Sequence, residues 1–109
     1  MEKKVVEEPF YGFSVSVFIG GTYEELRRES SVPLEQYSDR TRGMFAEVDD
    51  NLYYLWIEDL NNTPFLAHEV LHLAICEFRL KGMELNEGSE EALVYLYEWW
   101  FKEILKLKE

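Results

Sequence analysis

This 109-residue chain is poor in histidine, cysteine and positive charge: it has two histidines, one cysteine and 11 Lys plus Arg against 22 Asp plus Glu. Two histidines exclude every metal site that needs three. The single Cys76 cannot form an internal disulfide and suits a reducing compartment. A formal net charge of -11 repels nucleic-acid phosphates and anionic lipid headgroups, so no nucleic-acid or membrane partner is expected, and basic or cationic partners are favoured. No apolar run approaches the ~20 residues of a membrane-spanning helix. The start, Met1 to Pro9, lacks the apolar stretch and small-residue cleavage site of a secretory signal, which points to a cytoplasmic protein.

What is present is the composition of a globular domain, 47% apolar and 16% aromatic, at a length that fits one core. Phe13, Val15, Val17 and Ile19 alternate with serines and a phenylalanine, the period of a strand, and Gly20-Gly21 ends it. Thr22 with Glu25 has the form of a capping box and predicts a short helix over 23–30, before a polar stretch to Gly43 that includes Val32-Pro33. Asp49-Asp50-Asn51 separates two β-favouring runs, 44–48 and 52–58, and predicts a hairpin. The second run is apolar throughout, as in a central strand or a groove lining. Thr63 is a plausible N-cap and Pro64 takes the favoured first helical position, giving a helix over 64–81 that Gly82 ends. Ser89 can cap a last helix to about 107. The expected fold is α+β, a single domain over 1–109 with a small, mostly antiparallel sheet packed on two helices.

The helix from 64 contains His68-Glu69-Val70-Leu71-His72, the pattern HExxH. Residues i and i+4 lie one turn apart on one face, so both imidazoles can reach a single ion at the ~2.0 to 2.1 Å of a zinc-nitrogen bond. Glu69 lies ~100° from His68 and ~60° from His72 around the helix, placed to flank a metal and act as general base. With two histidines and 18 glutamates, chance produces the pattern in roughly three arrangements per thousand. The plain alternative is a pair of core histidines, since the helix also holds Phe65, Leu66, Val70, Leu71, Leu73, Ile75 and Phe78. Burying two imidazoles and a carboxylate there would cost several kcal/mol, which a cation would offset.

A third ligand must be a carboxylate or thiolate. The longer pattern HExxHxxGxxH fails, with Ile75 in place of its glycine and Phe78 in place of its third histidine. Cys76 is one turn past His72, but one helix rarely supplies three ligands in tetrahedral array. The next helix opens Ser89-Glu90-Glu91-Ala92-Leu93-Val94-Tyr95, where carboxylates also suit the positive end of a helix dipole.

At these residues the chain resembles gluzincins, whose third zinc ligand is a Glu on the helix after HExxH. It is closer to small HExxH proteins, many of them phage-related, which read as an aromatic strand, Leu-Ala-His-Glu-x-x-His, a Gly-containing loop, then Glu-x-Phe-Ala-Tyr-Leu. The matching residues are Tyr54-Leu55-Trp56-Ile57, Leu66-Ala67-His68-Glu69 with His72, Gly82-Met83, and Glu91-Ala92-Leu93-Val94-Tyr95-Leu96. The resemblance implies a minimal zincin-like fold, a zinc cofactor held by His68, His72 and Glu91, with Glu90 the substitute for Glu91, and a water position open for peptide hydrolysis. It also implies that the strand at 52–58 aligns an extended peptide or protein substrate by its edge. Tyr95 stands where larger gluzincins carry an Asp, so Glu98, a backbone carbonyl or water must orient a zinc histidine. The oxyanion donor that larger zincins take from a downstream subdomain has no histidine to fill it here, which leaves Tyr53, Tyr54, Tyr95 and Tyr97 as candidates.

Three functional expectations follow: a zinc metallopeptidase with Glu69 as base, a silent zinc-binding interaction protein, or a regulatory protease that needs a partner. Trp99, Trp100 and Phe101 offer either core or a homodimer surface.

Overall fold

In the computed structural model residues 1–29, 42–49 and 51–108 are described. Among them the elements follow in the order β1 (Glu2–Glu8), β2 (Phe13–Ile19), α1 (Tyr23–Glu29), β3 (Gly43–Asp49), β4 (Leu52–Ile57), α2 (Thr63–Leu80) and α3 (Glu90–Leu105), with a 3-10 turn at Lys106–Lys108. The polar stretch around Val32-Pro33 and the Asp50 position of the hairpin lie outside the described residues.

The strands form one mixed sheet in the order β1-β2-β4-β3. β1 with β2 and β3 with β4 are antiparallel, while β2 with β4 is parallel, Ser16 to Ile19 against Tyr54 to Ile57. The class is α+β as expected. The Glu-Lys-Lys-Val-Val-Glu-Glu segment is an unexpected strand: it is exposed for most of its length, and its charges suit a sheet edge that must not recruit another strand. Asn51 turns the β3-β4 hairpin at φ +63°, a left-handed conformation that Asn tolerates better than most residues.

β4 is apolar on both faces because both are covered. On one side Phe13, Val15, Val17, Leu55 and Ile57 pack with Leu66, Val70 and Leu73 of α2 and Leu96, Trp100 and Ile104 of α3. On the other, Phe18, Met44, Tyr54 and Trp56 pack with Tyr23 and Leu26 of α1. Trp56 is fully buried, and its indole N–H donates to the Gly20 carbonyl at 2.9 Å, so burial leaves no orphaned donor. Trp100 is core as well, with Trp99 and Phe101 packed partly against it.

α2 begins one residue earlier than the sequence predicts. Asn62 is its N-cap, its side chain accepting from the Phe65 N–H, which leaves Thr63 and Pro64 in the first turn. The helix buries Leu66, Val70, Leu73, Ala74 and Phe78 on one stripe; each large side chain there contributes about 1.5 to 3 kcal/mol of apolar burial. No helix among the described residues is long and apolar enough to cross a membrane.

Candidate metal and catalytic site

His68 and His72 each stand ~200° around α2 from a buried residue two positions earlier, Leu66 and Val70. Helical periodicity therefore turns both imidazoles away from the core, and both are exposed. This corrects the expectation that they sit in apolar surroundings; the desolvation cost falls on Glu69 alone, which is buried. The three side chains form a group whose ligand atoms lie within 4.8 Å of one another. The two histidine Nε2 atoms are 3.2 Å apart, and Glu69 Oε1 is 3.9 Å from His68 Nε2.

Glu69 is held by a close approach of strand to helix. A Cβ on Gly43 would lie 2.8 Å from Ile57 Cδ1, 3.2 Å from the Trp56 carbonyl and 3.3 Å from Glu69 Cγ, so glycine lets β3 come down onto α2 at this point. Burial pushes the Glu69 carboxyl above its usual range, while His68, His72 and the Phe45 backbone N–H pull it back down. Its Oε2 is buried with no hydrogen-bond partner. All three residues line a cleft of about 660 Å³ between β3 and α2, floored by Gly43, Met44 and Phe45 and continued along the helix by Ile75, Cys76 and Arg79.

Whether these residues fit zinc can be judged from the donor set. Two nitrogens at ~2.05 Å from a tetrahedral ion lie about 3.3 Å apart, close to the observed 3.2 Å, which is also hydrogen-bond distance between the two rings. Both histidines open on the cleft, and Glu69 Oε1 stands 3.9 Å from His68 Nε2. His68 and His72 thus fit as a pair of ligands.

Glu91 is not part of the group. It sits exposed on the first turn of α3, ~180° around the helix from Trp100, through which α3 packs. Glu90 is nearer the packed side, ~80° from Trp100, but it too is exposed and outside the group. Cys76 lines the cleft without joining the cluster; burial, then Glu47, push its thiol up, against Arg79. Glu98 is engaged with Lys102 at 2.6 Å on the exposed face of α3. None of the four candidate tyrosines is among the residues lining the cleft. β4, expected to offer an edge to substrate, is paired on both sides, by β2 and by β3. The strand that walls the cleft, with one edge that no described strand pairs, is β3.

A second buried carboxyl lies on the same helix and was not anticipated. Glu77 is fully buried, and its Oε1 accepts from the Trp100 indole N–H at 2.7 Å. Beside it stands Glu8, also fully buried, whose two oxygens accept the backbone N–H groups of Phe10 and Tyr11 at 2.8 Å each. The only sequence signal was an acidic residue at an apolar-flanked helical position, which hydropathy alone reads as surface.

No family model, curated protein or solved structure matches the chain.

Proposed function

We propose that the protein is a zinc-dependent peptidase of minimal zincin type, with His68 and His72 as ligands and Glu69 as general base. The observation that carries this is the 3.2 Å separation of the two Nε2 atoms over a cleft that also receives the buried Glu69 carboxylate. Zinc held there would supply Lewis-acid polarisation of a water and of a peptide carbonyl.

The chain's own residues do the rest. Glu69 takes the proton of the attacking water and returns it to the departing amine nitrogen, which balances the hydrolysis. Glu69 lines the cleft beside both imidazoles, which places its carboxyl for that proton transfer. β3 positions the peptide. The Arg42 carbonyl accepts from Glu58 on the β4 side, and strand alternation then turns the N–H and C=O of Gly43 and the C=O of Phe45 to the edge that no described strand pairs, where the Phe45 N–H faces Glu69. An extended peptide can add to that edge as a further strand.

A second reading, zinc binding without hydrolysis, is favoured by one observation: among the described residues neither a third ligand nor an oxyanion donor from α3 reaches the cluster. Two measurements decide. Elemental analysis of the purified chain is expected to find about one zinc per molecule, lost in His68→Ala. Glu69→Gln is expected to keep zinc and lose cleavage of a peptide library. A wild type that holds zinc and cleaves nothing supports the silent reading, and a chain that holds no zinc ends both.

A further inference from the structure

The cleft does not stop at the histidines. Past His68 it runs to Arg42 and Phe65, and past His72 to Arg79 and Leu80, so it is a groove along α2 with a basic residue at each end. The two arginines differ in state. Arg42 donates to Glu58 Oε2 at 2.9 Å and its charge is neutralised. The Arg79 guanidinium makes no ion pair or hydrogen bond with any described residue. Glu47, whose charge acts on Cys76 from the same end of the groove, is not in ion-pair contact with it.

Among the described residues Arg27, Arg28, Lys81 and Lys108 also stand outside every ion pair, but Arg79 is the one of these cations that lines the groove. A basic residue in the last turn suits the helix dipole, and Lys81 at the cap meets that need as well. The dipole does not explain why the Arg79 side chain walls the groove. Its planar fork matches a carboxylate in two parallel hydrogen bonds.

We propose that Arg79 is a specificity-determining residue that binds a carboxylate of the substrate peptide at the distal end of the groove. Arg79 lies seven residues after His72, about 10 Å along the helix. An extended peptide covers that span in about three residues. The carboxylate therefore belongs to a group about three residues from the bond over the histidines, and it is either an acidic side chain or the chain terminus. This rests on the peptide-groove reading above.

The test is fluorescence anisotropy on the full chain in a Glu69→Gln background, which prevents turnover. Three labelled Ala-Ser octapeptides serve as probes: one with an internal Glu and amidated C-terminus, one with Gln and amidated C-terminus, and one with Gln and a free C-terminus. One of the two carboxylate peptides is expected to bind about tenfold tighter than the amidated Gln peptide, and which one does so identifies the source. Arg79→Gln should abolish the preference and Arg42→Gln should keep it. Equal affinity for all three peptides, a preference that survives Arg79→Gln, or no binding of any peptide would each overturn the proposal. If the preference holds but the chain takes up no zinc, the peptidase reading fails and the carboxylate subsite stands. If zinc-dependent cleavage holds with no such preference, the reverse applies.

Discussion

Glu69 and Glu77 sit two turns apart on one helix, both buried, and both pushed upward in pKa first of all by burial. They differ in what faces them. Glu69 has one side on an open cleft and two imidazoles beside it. Glu77 is sealed among Trp100, Glu8 and the core, and its carboxyl rises to about 8. Burial alone therefore raises a carboxyl; access and a pair of neighbouring imidazoles make one a candidate base.

The two carboxyls of the sealed pair differ in their donors. Glu8 accepts two backbone N–H groups and the Tyr95 hydroxyl at 3.4 Å. Glu77 Oε2 is buried without a hydrogen-bond partner, and burial together with the neighbouring Glu8 carboxyl holds Glu77 toward its protonated form. The pair ties the turn after β1 to α2 and α3.

The contrast can be broken most strongly at Glu69. Glu69→Gln is expected to lower peptide cleavage by about 10²- to 10⁴-fold while the fold is kept, and Glu77→Gln to leave the rate per folded molecule unchanged; a peptidase assay on both variants checks this. Next in size is Glu8→Gln, which puts an amide where three donors need acceptors. It should cost about 2 to 4 kcal/mol in urea unfolding. Gly43→Ala tests the floor of the open site, where the added Cβ must displace Ile57 or Glu69; about 1 to 3 kcal/mol of destabilisation is expected.

A subtler test is the pH dependence of stability. The folded pKa of Glu77 lies above its unfolded value, so between about 4.5 and 8 the folded state holds a proton that the unfolded state has lost. That contribution is complete below about 4.5 and is lost as pH rises through 8. Wild type should thus lose stability relative to Glu77→Gln across this window, since Gln accepts from Trp100 without titrating. Parallel Tm curves for the two would show that Glu77 takes up no extra proton on folding. The smallest effect is expected at the rim, where Arg42→Gln removes an exposed ion pair worth less than about 1 kcal/mol.

Much of the fold was legible because its elements announce themselves locally. The alternation of β2, the turn chemistry at Asn51 and the Pro64 and Gly82 boundaries of α2 each act within a few residues. β1 was not legible, since a charged segment becomes a strand only when β2 offers its edge. The same holds for Glu8, which finds Glu77 across 69 residues of chain.

The sequence by itself determined the HExxH spacing, and with it a pair of imidazoles one turn apart, because helix geometry follows from hydrogen bonds between near neighbours. It determined neither which side of α3 faces the cluster nor which strand walls the cleft. Tertiary packing decided both: burying Leu96, Trp100 and Ile104 turns Glu91 outward, and inserting β4 between β2 and β3 leaves β3 at the edge of the described sheet. Those outcomes depend on apolar surfaces far apart in the chain, whose pairing no local spacing encodes.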